Sequence, residues 1–73
     1  YRNKEGQVVD MKYLIEKAAE LVDGLKNVES MRLYFDSSDF EGYTSDVLAV
    51  DFLDGSCKVY RYSVTRQQFE FIK

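Results

Sequence analysis

The stretch VLAVDFLDGSCKVYRYSV, residues 47 to 64, decides the fold because it has the pattern of two strands joined by a tight turn. Apolar residues alternate on both sides of Asp54-Gly55, and this dipeptide is one of the strongest short hairpin signals. A type I′ turn needs positive φ at both central residues, and these residue types tolerate it. The sequence therefore predicts a β-hairpin with strands at about 46–53 and 57–65.

The length of the turn determines which way the second strand of the hairpin faces. A two-residue loop at Asp54-Gly55 pairs Phe52 with Cys57 and places Lys58, Tyr60 and Tyr62 on the outer face of the sheet. That register also puts Asp51 opposite Lys58, a favourable pair of opposite charges. The Asp-Gly rule favours this two-residue loop.

A three-residue loop is the alternative, and it has the opposite consequence. Slipping the register by one residue turns every side chain of a strand to the other face. Tyr60 and Tyr62 would then join the core, and Arg61 would point to solvent. The sequence leaves both registers open.

Upstream of the hairpin, the apolar residues follow the period of an amphipathic α-helix. They lie on one stripe, formed by Met11, Leu14, Ile15, Ala18, Val22 and Leu25. Asp10 occupies the N-cap position, and Gly24 is suited to a left-handed stop. We expect a helix over about residues 9–24.

Period-two alternation predicts two further strands, at about 30–36 and 67–72. In the first, Met31, Leu33 and Phe35 share a face, and in the second Phe69 and Phe71 do. One helix followed by three or four antiparallel strands predicts a two-layer α+β domain with a β-meander. Residues 1–8 are expected to be a flexible lead-in, and residues 9–73 a single domain.

Composition limits the classes of function. The 73 residues carry a net charge of −3, no histidine and one cysteine. A single cysteine rules out an intramolecular disulfide and favours a reducing, cytoplasmic location. No apolar run approaches the length of a membrane helix, so we expect no membrane partner.

Catalytic and metal-binding patterns are weak. Cys57 has no imidazole to activate it and, just past a turn, is typical of a small packing residue. The acidic segment 36–42, DSSDFEG, fails as an EF-hand loop because Phe40 falls on a ligand position. We therefore expect no enzyme, no metal or cofactor and no small-molecule substrate.

The most suggestive surface is the third strand, where Lys58, Tyr60, Arg61 and Tyr62 combine aromatic and basic groups. The leading hypothesis is a non-enzymatic binding or regulatory module. It would contact a protein partner, or a second copy of itself, through its outer sheet face or an edge strand. The alternative is a single-stranded nucleic-acid (RNA) module in which bases stack on Tyr60 and Tyr62.

Residues 37–64 resemble the KTSC domain, a small module named for the C-terminus of certain lysyl-tRNA synthetases. The matching positions are Ser37, Ser38, Phe40, Gly42, Tyr43, Leu48, Val50, Phe52, Gly55, Tyr60 and Tyr62. The resemblance implies a β-meander with RNA or protein contacts. The spacing departs from that pattern before Gly-Tyr and in the turn, and Thr65 stands where the family has proline.

Overall fold

The computed structural model describes residues 2, 6–35 and 46–73. One helix, α1 (Met11–Asp23), precedes four strands: β1 (Val28–Tyr34), β2 (Val47–Phe52), β3 (Cys57–Ser63) and β4 (Gln68–Phe71). The strands form one antiparallel sheet in the order β1-β2-β3-β4. The predicted α+β meander is confirmed, with element ends shifted by a few residues. The acidic segment 36–42 lies outside the described residues.

The start of the helix is fixed by its cap. The Asp10 carboxylate accepts hydrogen bonds from the amides of Lys12 (3.0 Å) and Tyr13 (3.4 Å), so the predicted N-cap is confirmed. Just before it, Val8 forms an isolated bridge with Arg2, and Val9 is buried. The division into a lead-in and a domain stays a prediction.

The predicted end of the helix is wrong in its detail. Gly24 has φ −83°, a right-handed conformation, and the last turn tightens as Gly24 and Leu25 donate to the carbonyls of Leu21 and Val22. The left-handed residue is Asn27, with φ 61°. Asparagine tolerates this region, and the Asn27 carbonyl accepts a hydrogen bond from Leu53 (2.8 Å) that ties the connection to the hairpin.

The core lies between α1 and one face of the sheet. Its buried side chains fall in two adjoining clusters: Ala18, Leu48, Val50, Phe52 and Tyr60 in one, and Val9, Leu14 and Tyr62 in the other. Met31, Leu33 and Phe69 pack against them from the edge strands, as their alternation predicted.

The hairpin has a three-residue loop, so the favoured two-residue register is wrong. Gly55 donates to the Phe52 carbonyl (3.0 Å), Phe52 donates to that of Ser56 (2.9 Å), and Gly55 has φ 89°. This is the turn with a glycine bulge that closes three-residue hairpins. The Asp54 carboxylate stabilises it by accepting from the Ser56 amide (2.9 Å) and hydroxyl (2.6 Å).

Two smaller expectations change with that register. Asp51 pairs with Cys57, not with Lys58, and its carboxylate lies 3.3 Å from Arg32 on β1. The cysteine is exposed, so the expectation of a small packing residue is wrong.

Candidate functional site

The two tyrosines of the third strand lie in the core. Tyr60 and Tyr62 are only 8% and 6% exposed, and each ring meets a phenylalanine of β4 edge-on, Phe71 at 5.6 Å and Phe69 at 5.2 Å. Burial raises the pKa of both hydroxyls, and for Tyr62 the neighbouring Tyr13 and Asp46 add to this shift. A base has no open ring face on which to stack here.

The other two residues of the predicted surface are exposed but lie on opposite faces of the sheet. Lys58 is on the helix side, with its ammonium 5.5 Å from the centre of the Phe52 ring. Arg61 is on the outer face, because it alternates with Tyr60 and Tyr62. The structure therefore does not bring the four residues into one surface. Nucleic-acid binding stays a prediction, and of these four residues Lys58 and Arg61 are the exposed ones that could serve it.

The centre of the outer sheet face is closed to solvent. Val47, Ala49 and Val59 alternate with core residues along their strands and so lie on this face. They are 0%, 0% and 4% exposed. An open apolar platform on the outer face is thus absent at these positions. A protein partner on the outer face would therefore meet other residues, such as the exposed Arg61, and the sheet edges are the second surface considered.

The hydrogen bonds around β2 show which backbone groups face the β1 edge. In an antiparallel ladder, successive residues bond to opposite neighbours. Leu53 donates towards the β1 side, to Asn27, whereas the Asp46 carbonyl accepts from Tyr62 on the β3 side. Odd-numbered residues of β2 therefore bond to β1, and even-numbered ones bond to β3.

The same alternation assigns the backbone groups of β1. Ser30, Arg32 and Tyr34 stand opposite odd-numbered residues of β2 and bond to them. Met31 and Leu33 stand opposite Val50 and Leu48, so their N–H and C=O groups point away from the sheet. No described residue bonds to these groups. They form an open template for another strand.

One flank of the helix is hydrogen-bonded to the β4 side of the sheet, opposite the β1 edge. Side chains advance by about 100° per residue around a helix. Leu14 and Ala18 face the core, and Tyr13 lies on one flank of that line. The Tyr13 hydroxyl donates to the Gln67 carbonyl (3.4 Å) next to β4. This contact fixes which flank of α1 faces β4.

The other flank of the helix therefore lies on the β1 side, and it is apolar. Met11 and Ile15 are 45% and 50% exposed there, although both belong to the stripe that the sequence assigns to the core. This flank of α1 faces the side of the sheet at which Met31 and Leu33 present unpaired backbone groups. We call these four residues the β1 edge site. Sequence reasoning missed it, because the helical spacing assigned every residue of the stripe to the core.

The remaining surface of the described residues adds little chemistry. No group of three or more His, Cys, Asp or Glu side chains in residues 6–35 and 46–73 is placed to hold a metal ion. An open depression at the hairpin end is lined by Lys26, Phe52, Leu53 and Lys58 among others. Across the same stretch, no helix is long and apolar enough to span a membrane.

Comparison with known proteins supplies no function. No family model matches the chain, and no curated protein or solved structure matches it either. The resemblance to the KTSC domain stays a prediction. Its positions Ser37, Ser38, Phe40, Gly42 and Tyr43 lie outside the described residues.

Proposed function

We propose that this chain is a small, non-enzymatic binding or regulatory module that acts in the cytoplasm and contacts a protein partner through strand β1. The partner supplies an extended segment that adds a fifth strand to the sheet. Main-chain hydrogen bonds to Met31 and Leu33 give affinity, and alternate side chains of the partner give specificity.

The observation that carries the proposal is the position of unpaired backbone groups next to exposed apolar side chains. Backbone groups alone bind water nearly as well as another strand. At the β1 edge site, however, an incoming strand would also cover Met11 and Ile15, and burial of apolar surface is favourable. The two contributions reinforce each other at this edge.

The outer face of β1 supplies specificity. Arg32 lies 3.3 Å from Asp51, and Ser30 donates to the same carboxylate (3.3 Å). A bound strand would place every second side chain beside this cluster and the others beside Met11 and Ile15. We therefore expect ligands that alternate apolar with polar or charged residues.

The test uses a random linear peptide library panned against the immobilised protein. We expect enrichment of peptides with alternating apolar residues. Chemical synthesis of the 73-residue chain allows Met31 to be N-methylated, which removes its outward N–H and keeps its side chain. We expect this change to weaken peptide binding at least about tenfold, because it deletes one hydrogen bond and obstructs the approaching strand.

Two controls make the result specific to this edge. N-methylation of Phe69, whose amide faces outward on β4, should leave binding unchanged. Ile15→Lys should weaken binding, whereas Glu16→Lys, an exposed change one residue along the helix, should not. Equal binding by the two N-methylated proteins and the two lysine variants would overturn the proposal. So would a loss of binding only on N-methylation of Phe69.

A further inference from the structure

We infer that the added strand is β1 of a second copy of this chain, paired antiparallel about a twofold axis at Met31. This inference rests on the proposed function, since it names the occupant of the β1 edge site. The result is a continuous eight-stranded sheet with both helices on the same face.

Symmetry limits the possible registers. Two antiparallel strands related by a twofold axis must place the same residue of each copy opposite itself at the axis. Because the backbone groups of Met31 point away from the sheet, an axis at Met31 gives a hydrogen-bonded pair there, and it places Leu33 opposite Glu29, the extra residue of the bulge. Met31 is the middle residue of β1 (Val28–Tyr34), so an axis there gives the greatest overlap of the two strands.

Charge and strand overlap distinguish registers with the axis at Met31, Arg32 or Leu33. An axis at Arg32 would bring two guanidinium groups directly opposite each other in a closely spaced, non-hydrogen-bonded pair, which is unfavourable. An axis at Leu33 moves half of β1 beyond the partner strand. With the axis at Met31, Arg32 stands opposite Ser30 of the second copy.

That pairing is complementary. Ser30 already donates to the Asp51 carboxylate (3.3 Å), so the incoming Arg32 meets a hydroxyl with a carboxylate behind it. Each copy contributes the same arrangement, so the interface contains two clusters in which Arg32 of one copy meets Ser30 and Asp51 of the other. Each Arg32 also keeps its own Asp51, 3.3 Å away.

The helices add apolar contact to the paired strands. Because the axis is perpendicular to the sheet, the exposed flanks of the two α1 helices face each other. Met11 and Ile15 lie on these flanks. They are 45% and 50% exposed in the monomer, so apolar surface is available there for contact between the copies.

The assembly closes at two copies. Both copies use the same edge, so the pairing is isologous and leaves no second β1 edge. The β4 edge is short, with four residues, and is flanked by the Arg66–Glu70 ion pair at 3.0 Å. The bulge at Glu29, the extra residue between Val28 and Ser30, increases the local twist at one end of β1.

Disulfide cross-linking tests this register. In a Cys57→Ser background, which removes the exposed native thiol, single variants Ser30→Cys and Arg32→Cys are prepared and oxidised separately and as a mixture. These positions are exposed and directly opposite in the inferred pair, with Cα atoms about 4.5 Å apart, within reach of a disulfide. We expect the mixture to form a mixed dimer at least several-fold faster than either variant alone.

Sedimentation equilibrium of the otherwise unmodified protein accompanies the cross-linking. We expect a monomer–dimer equilibrium, weakened at least about tenfold by N-methylation of Met31 and unchanged by N-methylation of Phe69. Cross-linking of Arg32→Cys alone, or a dimer indifferent to N-methylation of Met31, would overturn the inference.

The outcomes separate the inference from the function on which it rests. A protein that stays monomeric at high concentration, yet binds library peptides in a manner abolished by N-methylation of Met31, overturns the second copy and retains the binding module. A monomer that binds no peptide overturns both.

Discussion

The two edges of this sheet have the same backbone chemistry but different surroundings. At each edge, outward backbone groups belong to residues whose side chains face the helix, Met31 and Leu33 on β1 and Phe69 and Phe71 on β4. Beside β1 the helix exposes Met11 and Ile15. The β4 edge instead has polar neighbours, in Tyr13 with Gln67 (3.4 Å), Lys17 with Glu20 (3.5 Å) and Arg66 with Glu70 (3.0 Å).

This difference in surroundings is why we propose a binding site at β1 and not at β4. Phe71 is 60% exposed on β4, but its ring meets Tyr60 edge-on at 5.6 Å within its own fold. Charged neighbours and short length are common ways of protecting an edge from unwanted pairing. The β4 edge has both, whereas β1 has seven residues, with a bulge at one end and the Arg32–Asp51 ion pair on its outer face.

The largest expected effect comes from removing the ring that holds β4 to the helix. Tyr62 packs against Phe69 at 5.2 Å and Tyr13 at 6.4 Å. We expect Tyr62→Ala to lower the free energy of unfolding by about 3 kcal/mol or more, as for other buried aromatics. Urea unfolding followed by circular dichroism measures it.

The neighbouring strand position supplies the control for this change. Arg61→Ala should alter the free energy of unfolding by no more than about 0.5 kcal/mol, since that side chain is exposed. If Tyr62→Ala proves too unstable to fold, Tyr62→Phe should remain folded because it keeps the ring. Equal losses for Tyr62→Ala and Arg61→Ala would mean that the tyrosine is not in the core.

High pH should lower the stability of the core around Tyr60 and Tyr62. Burial raises the pKa of Tyr60 and Tyr62 above the ordinary value of 10.0, so the folded state favours their protonated forms. Their contribution to stability is complete below the unfolded pKa and is lost as pH rises through the folded pKa. We expect urea midpoints to fall above pH 10.0, and to fall less in the double variant Tyr60→Phe, Tyr62→Phe. Identical pH profiles would contradict this prediction.

Amide exchange tests the assignment of the β1 edge directly. In dilute protein, we expect the Met31 and Leu33 amides to exchange at least about tenfold faster than that of Arg32 between them, because only Arg32 bonds to β2. NMR hydrogen exchange provides the rates. Slow exchange at Met31 in the dilute monomer would show that another group already occupies this edge.

The smallest effect concerns the ion pairs at the two edges. Arg32–Asp51 and Arg66–Glu70 are both partly exposed, and such pairs contribute about 0–1 kcal/mol. We expect Arg32→Ala and Arg66→Ala to have similar small effects on unfolding. Arg32→Ala alone should weaken dimer formation in sedimentation. If both variants changed dimer formation equally, the contrast between the two edges would be lost.

Local patterns predicted the elements well because each depends on neighbouring residues. The helix follows from apolar spacing and from Asp10, whose carboxylate needs only the first-turn amides to cap it. Strands β1 and β4 follow from alternation, and Met31 and Leu33 face the helix as expected. The end of the helix was harder, because the contact between Asn27 and Leu53 is long-range.

The candidate site was predicted only as a general possibility. An edge strand was among the expected surfaces, but the residues chosen were Lys58, Tyr60, Arg61 and Tyr62. Asp54-Gly55 fits both a two-residue loop and a three-residue loop with Gly55 in the bulge, and one residue decides which face the tyrosines take. The interaction of Asp54 with Ser56 accompanies the longer loop.

The sequence by itself determined the order, type and approximate span of every described element, because capping, turn chemistry and hydrophobic period act over a few residues. Only the tertiary structure decided that Tyr60 and Tyr62 are core, that Val47 and Ala49 are closed off on the outer face, and that Ile15 is exposed beside β1. These properties depend on register and on where the helix lies across the sheet. They are set by packing between residues far apart in the chain, which no local pattern encodes.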